Sequence, residues 1–438
     1  MIDDQKTLPA HCLASAAAEP GALDRALRAQ LIERLRPLRH GRLVIEDACG
    51  RVTLGHADDE GAAAVHVRVE DPALYRALAM SGAVGAGESY IRGQWRCDDL
   101  VGLIRLLVRN RDLLDGLERG FARIGGWLLR AWSALRPNTR HGSREHIAAH
   151  YDLGNEFFAL FLSPDLMYSS ALWAGEDDTL EAASTRKLDA ICASLELRPS
   201  DAVAEIGAGW GGFALHAARH YGCRVTTTTI SREQHALACK RVADAGLADR
   251  VTVLLEDYRD LEGRYDKLVS IEMIEAVGAR YLDSYFAKVG ALLKPGGLAL
   301  LQAITIEDHR YAQALREVDY IKRHVFPGAF IPSVSAMLEA KRRVTDLNLV
   351  HFQDFGLSYA RTLEAWRKRF LAQRGEVRRL GFDDHFIRLW EFYLAYCEGG
   401  FRERSIGVGH LKLAKAGLSY EAELPCEAGP PHNRRFPR

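Results

Sequence analysis

The amino-acid sequence predicts an α/β fold: a mostly parallel, seven-stranded sheet preceded by a smaller mixed α/β domain. Three observations lead there. From about residue 146 onward, short β-branched apolar runs alternate with helical stretches, the rhythm of a parallel sheet covered on both faces. The first of those runs, Ala202–Ile206, feeds straight into a glycine-rich turn that opens a helix. The chain has 438 residues, 48 % of them hydrophobic, which is enough for a large core and an added domain.

Residues 1–22 and 421–438 read as tails. Residues 23–136 read as the small domain. Leu23–Leu38 has helical periodicity, Gly41–Ile45, Gly50–Gly55 and Ala63–Val69 are strand-like, and Asp71–Met80 is helical again. From Asp98 to Leu135 the pattern is helical, with Leu117, Phe121, Ile124, Leu128, Trp132 and Leu135 on one face. Residues 137–145 break it and read as a linker. The main domain spans 146–420. Its later strands are Arg224–Ile230, Val251–Leu255, Lys267–Ile271, Leu298–Ile304, Leu347–Phe355 and Ile406–Ala414. Ser231, with Gln234 three residues on, has the pattern of a capping box. Residues 305–345 interrupt the alternation and read as an inserted lid. Helices at Leu363–Arg379 and Asp383–Arg402 precede the last strand.

Composition excludes several functions. Lys+Arg and Asp+Glu number 58 each, so no global field invites nucleic acid. The eight cysteines are scattered without CxxC pairs, which argues against a zinc site or disulfide framework and for reduced thiols in the cytoplasm. The sequence carries neither a signal-peptide pattern nor an apolar run long enough to span a bilayer.

Chemistry concentrates at Glu205-Ile206-Gly207-Ala208-Gly209-Trp210-Gly211-Gly212, at the carboxyl edge where α/β sheets bind ligands. Glycines let the backbone turn and approach a ligand, but the pattern alone also serves dinucleotides. Two features separate the cases. Glu205 precedes the first glycine, where it would repel a phosphate. The next strand ends in Thr229-Ile230-Ser231, with no acid to grip a nicotinamide ribose. A zwitterionic ligand without phosphate fits better. Asp257 and Tyr258, after the third strand, are placed to meet an adenine.

With those motifs in view, the chain resembles the cyclopropane fatty acyl phospholipid synthases and their mycolic-acid-modifying relatives. The likeness rests on His150–Phe158, Met167-Tyr168-Ser169-Ser170, the glycine loop, Thr229–Gln234, Glu272–Gly278, Phe326-Pro327 and Ile331-Pro332-Ser333, in order from about Gly85 to Lys415. The resemblance implies a Rossmann-like class I methyltransferase that uses S-adenosylmethionine. It implies a cofactor site at Tyr168, Ser169, Gly207, Gly209, Ile230, Gln234, Tyr258 and Ile271, to which the residue reading adds Glu205, Thr229 and Asp257. It implies Glu275 and Tyr359 at the reacting carbon. The family typically has a cysteine where this chain has Ser170 and a histidine where it has Gln302. With the residues matching Glu275 and Tyr359, these hold a bicarbonate ion that serves as base; Ile304 is retained. Ser170 and Gln302 can still hydrogen-bond an anion, but Gln302 lacks the charge of a protonated histidine. Bicarbonate as a second cofactor, and ring against methyl-branch product, stay open.

The implied reaction adds a methyl(ene) carbon to the double bond of an unsaturated phospholipid acyl chain. It needs an apolar site, a base, and ring faces for a carbocation. Tyr151, Phe157, Phe158, Phe326, Phe330, Tyr359, Tyr393 and Tyr396 are candidates for those faces, with Tyr151 and Tyr359 favoured by the resemblance. A phospholipid substrate requires contact with a membrane surface from the cytoplasmic side. Leu117–Arg140, apolar on one face with Trp132 and several arginines, has suitable chemistry. Self-association as a homodimer is open. Two competing readings remain: a methyltransferase for a small soluble amine, and a lipid-binding module that has lost its base.

Overall fold

The computed structural model describes residues 19–55, 64–113 and 153–417. The stretch 117–135, the linker at 137–145, Tyr151 and most of both tails lie outside the described residues.

The small unit comprises α1 (Ala22–Leu35), β1 (Leu43–Asp47), β2 (Gly50–Leu54), β3 (Val65–Val69), α2 (Ala73–Ile91), β4 (Trp95–Cys97) and α3 (Leu100–Arg109). Its sheet has the order β2-β1-β3-β4, with β1 and β3 parallel and the other neighbours antiparallel. Strand β3 alternates Val-His-Val-Arg-Val, and the period of two buries every valine on one face. The sequence reading lacked β4 and stopped α2 near Met80. In fact α2 bends at Gly82 (φ 51°, ψ −130°), a backbone state open to glycine, and continues to Ile91. Asp99 caps α3 by accepting the Gly102 N–H at 2.7 Å.

The main unit follows with α4 (Asn155–Ala159), α5 (Leu180–Ser194), β5 (Ala202–Ile206), α6 (Gly212–Tyr221), β6 (Arg224–Thr229), α7 (Arg232–Asp244), β7 (Val251–Leu255), β8 (Tyr265–Ile271), α8 (Leu282–Leu292) and β9 (Leu293–Ile306). Next come α9 (Asp308–Ala314), α10 (Tyr320–His324), α11 (Val334–Val344), β10 (Asn348–Asp354), α12 (Gly356–Ala372), α13 (Arg374–Arg379), α14 (Asp384–Arg402) and β11 (Ile406–Ala414). The seven strands are ordered β10-β11-β9-β8-β5-β6-β7. All pairs from β9 through β7 are parallel, and β11 runs antiparallel to both β9 and β10. Central β5 is flanked by β6 and β8, so the strand order reverses there and a crevice opens at the carboxyl ends.

Three local expectations change. Ser231 does cap α7, accepting the Gln234 N–H at 3.2 Å, but the Gln234 side chain accepts from Thr229 Oγ1 at 2.9 Å, so only half the capping box forms. The helix expected at Leu363–Arg379 starts earlier, at Gly356, and divides at Gln373 into α12 and α13. The inserted 305–345 segment carries three short helices. Its Phe330 N–H bonds the Glu275 carbonyl at 3.1 Å, which fixes the segment over the crevice.

The small unit is not a separate bead. Its Val67, Leu74, Trp95 and Leu103 share one apolar cluster with Tyr359, Trp390 and Phe401 of the main unit. Arg105 and Arg109 both pair with Glu403 just past α14, at 2.6 and 2.8 Å. Gly87 on α2 lies so close to the Tyr320 ring that a Cβ there would collide with it.

Candidate functional site

Beyond β5 the chain turns through Gly207 (φ 96°), Gly209 (φ 50°) and Gly211 (φ 83°), all in the left-handed region. The loop is tied down on both sides. The Gly207 and Ala208 N–H groups donate to the Thr228 carbonyl at 3.1 and 2.8 Å. Buried Trp210 donates its ring N–H to Asn155 Oδ1 at 2.6 Å, while Arg241 donates to the Trp210 carbonyl at 2.6 Å. A Cβ on Gly207 would press on Met273 at 3.1 Å, whereas at Gly209 it would meet nothing within 4 Å. The backbone at Gly209 therefore borders open space, as a cradle for a ligand must.

That space belongs to a cavity of about 1400 Å³. It is larger than the roughly 300–1,000 Å³ of an ordinary small-molecule site. Tyr168, Ser169, Glu205, Gly207, Gly209, Thr229, Ile230, Gln234, Asp257, Tyr258, Ile271, Glu275 and Tyr359 all line it. The cavity then runs on into the small unit, past Leu78, Trp95, Leu103 and Leu107. Phe326, Phe330, Tyr393 and Tyr396 also form its wall. Phe157 and Phe158 do not; both are fully buried in an aromatic cluster with Trp390.

The polar end of the cavity suits S-adenosylmethionine, since it joins an open glycine turn to hydroxyl, amide and aromatic groups at the strand ends. Asp257 is less free than its position suggested: Arg259 grips both of its oxygens, at 2.8 and 2.6 Å. Burial raises Glu205 to about 8, and its Oε2 has no hydrogen-bond partner. Lys187, completely buried, is lowered by the same cause and donates to Ser169 Oγ at 2.9 Å. Lys187 carried no signal in the sequence, because it sits in an ordinary helical stretch of α5.

Just past the end of β8 two carboxyl groups meet. Glu272 follows β8 with φ 49° and joins the sheet edge through its N–H to the Gln302 carbonyl at 2.8 Å. Its Oε1 accepts from the Ser170 N–H at 2.8 Å and the Gln302 amide at 2.7 Å, and its Oε2 accepts from the Tyr359 hydroxyl at 2.7 Å. Glu275 sits in the next turn. Its Oε1 accepts the Ile304 N–H at 2.6 Å, and its Oε2 is buried without a partner. Burial, then the charge of Glu272, raises Glu275 to about 8. Burial also raises Glu272, but three donors oppose it. Three donors converge on Glu272 and one on Glu275, so of the two carboxyl groups Glu272 is the better placed to carry negative charge.

Two sequence expectations need correction here. Ser170 and Gln302 are not among the residues that line the cavity. The Ser170 hydroxyl turns away to the Ala171 carbonyl at 2.9 Å, and only its backbone N–H serves the site. Gln302 stands behind Glu272, with its amide oxygen 3.0 Å from His410 Nε2. That oxygen can only accept, so neutral His410 is the donor; burial lowers this imidazole to about 3. Glu272 itself was within a quoted motif but had no role, because its backbone turn is invisible in sequence. Among the described residues no group of three or more His, Cys, Asp or Glu could hold a metal ion.

Comparison with known proteins agrees with this geometry. Residues 138–411 match the mycolic acid cyclopropane synthetase family. The chain is 37 % identical over 387 residues to the tuberculostearic acid methyltransferase UfaA1 of Mycobacterium tuberculosis, covering 86 % of this chain and 88 % of that one. It is 37 % identical over 353 residues to the cyclopropane-fatty-acyl-phospholipid synthase of Escherichia coli, covering 79 % and 87 %. Among solved structures, the mycolic acid cyclopropane synthase CmaA1 complexed with SAH and CTAB superposes with a TM-score of 0.58 at 28 % identity, over 62 % of this chain and 98 % of that one.

Proposed function

This chain belongs to the mycolic acid cyclopropane synthetase family, and from that premise we propose that it transfers a one-carbon unit from S-adenosylmethionine to the double bond of an unsaturated phospholipid acyl chain at a membrane surface. The observation that carries this reading is the shape of the cavity. One continuous, mostly apolar space joins the glycine loop to the interior of the small unit. A soluble amine has no use for that length of apolar wall, whereas an acyl chain does.

When bound, S-adenosylmethionine supplies an electrophilic methyl carbon on a sulfonium. The chain's residues do the rest. The braced loop at Gly207–Trp210 fixes the donor end. Apolar side chains from both units align the acyl chain and exclude water, so positioning accounts for much of the rate. Attack by the alkene leaves a carbocation in the acyl chain. Tyr359, Tyr393 and Phe326 line the cavity, and their rings are the groups that would stabilise such a charge. The carboxyl group that is ionised stands ready to take the proton that ring closure would release. Docking at the cytoplasmic face of a membrane, from which the lipid chain enters the cavity, completes the reading.

The test uses purified protein, labelled S-adenosylmethionine and vesicles of unsaturated phospholipid. Label should pass into the lipid, and vesicles of saturated lipid should receive none. Labelling of a soluble amine at a higher rate than of the vesicles would overturn the reading.

A further inference from the structure

Two of the residues that the family uses for bicarbonate, those at Ser170 and Gln302, are altered here, and the donors of the set are already engaged. In the resemblance, the anion is held by groups matching Ser170, Gln302, Glu275 and Tyr359. In this chain Ser170 N–H, the Gln302 amide and the Tyr359 hydroxyl all converge on one carboxylate, that of Glu272, at 2.7–2.8 Å. The donors a diffusible anion would need are already occupied by an anion that belongs to the polypeptide. A second one beside it would meet like charge in a buried site.

We infer that Glu272 replaces bicarbonate as the proton acceptor of this enzyme, so that catalysis needs no exogenous anion. This rests on the function proposed above. Oε1 carries two donors and Oε2 one, so of about four lone-pair sites on a carboxylate one remains, on Oε2. Glu272 forms part of the cavity wall beside Glu275 and Tyr359. In the step, a C–H bond of the newly added methyl group breaks. Its electron pair closes the three-membered ring onto the cationic carbon, and the proton passes to Glu272 Oε2. Nothing is oxidised or reduced.

The surroundings fit an acceptor. The chain from neutral His410 through Gln302 to Oε1 is directional, because the Gln302 oxygen can only accept and its nitrogen can only donate. That fixes the carboxylate plane. Gln302 and His410 are thus positioning residues. The strained φ of 49° at Glu272 is what aims the side chain at these donors, and functional sites are where such strain is retained. Because glycine adopts that φ freely, removing the side chain leaves the backbone turn intact.

The experiment compares the wild type with Glu272→Gly and Glu272→Gln in buffer freed of carbon dioxide, with bicarbonate or formate then added back. The wild type should turn over at a rate that bicarbonate does not change. Glu272→Gln, which keeps the shape but cannot accept a proton, should lose about 100-fold or more in kcat. Its binding of S-adenosylhomocysteine, measured by calorimetry, should stay within threefold of wild type, which shows that it is folded. Glu272→Gly opens the space, and added bicarbonate or formate should restore turnover at least tenfold. A wild type that requires bicarbonate, a folded Glu272→Gln variant with more than a third of normal turnover, or a folded Glu272→Gly variant that no small anion rescues would each overturn the inference. A wild type inactive on every unsaturated lipid would instead count against the proposed function.

Discussion

Replacing Glu275 with glutamine isolates the electrostatics of the site in a measurement that needs no substrate. Glutamine keeps the acceptor for the Ile304 N–H and the side-chain volume, and it removes only the titration. Glu275 is raised from the ordinary carboxyl value of 4.5 to about 8, first by burial and then by the charge on Glu272. The folded protein therefore holds this proton up to about pH 8, while the unfolded chain releases it near 4.5. A carboxyl raised in the folded state contributes stability that is complete below pH 4.5 and is lost as pH rises through 8. At 1.36 kcal/mol per pH unit, the ceiling on that loss is about 5 kcal/mol. Water entering the ligand-free cavity hydrates the group and brings the effect to about 1–3 kcal/mol. Glu205, also raised, adds a slope of the same sign, and buried Lys187 adds the opposite one. Both are present in either protein and cancel in the difference. Urea melts of wild type and Glu275→Gln at intervals from pH 5 to 9 should show the variant gaining relative stability with rising pH, by at least about 1 kcal/mol. Parallel curves across that range would refute the reasoning, since the carboxyl would then be ionised in the native state at the ordinary pH.

Three other changes probe separate parts of the site. Gly207→Ala forces a β-carbon against Met273 and a non-glycine residue to φ 96°; a cost of about 1–3 kcal/mol should weaken S-adenosylhomocysteine binding about 5- to 150-fold in calorimetry. Tyr359→Phe removes the hydroxyl donated to Glu272. Such a bond to a charged group is worth about 1.5–3 kcal/mol, so kcat should fall about 10- to 150-fold while S-adenosylhomocysteine binding is unchanged. Leu78→Trp fills the far end of the cavity in the small unit. It should slow turnover of long acyl chains more than of short ones in a vesicle assay; equal slowing would mean that the chain does not reach that end.

Much of the fold was legible because parallel strands buried on both faces leave continuous apolar runs. Ala202–Ile206 is such a strand and matches the structure at both ends, as does the antiparallel Ile406–Ala414. The misses have physical causes. Strand β4 is three residues long, too short for any periodicity, and exists because Trp95 and Cys97 pair with Val69 and Val67. Helix α2 runs past the expected stop because a glycine bend let it resume, which local pattern cannot show. The cofactor side of the site was readable from the glycine turn and the motifs that follow each strand. The proposed base was only half readable. Glu275 stood out at a strand end, but Glu272, three residues earlier, is brought to Ser170, Gln302 and Tyr359 by tertiary packing across separations of 102, 30 and 87 residues. Ser170 and Gln302 were assigned by their side chains. The structure uses the backbone of one and buries the other behind a carboxylate.

The most direct test of the whole account is a crystal structure with S-adenosylhomocysteine and an unsaturated long-chain phospholipid or fatty acid. Electron density for the nucleoside should lie against Gly207 and Gly209. The acyl chain should pass Tyr359 and Glu272 and continue toward Trp95 and Leu103, with its double bond facing the sulfur across the space that the transferred methyl group would fill. Nucleoside density in that cradle with the acyl chain elsewhere on the protein would contradict the claim that one cavity brings donor and lipid together.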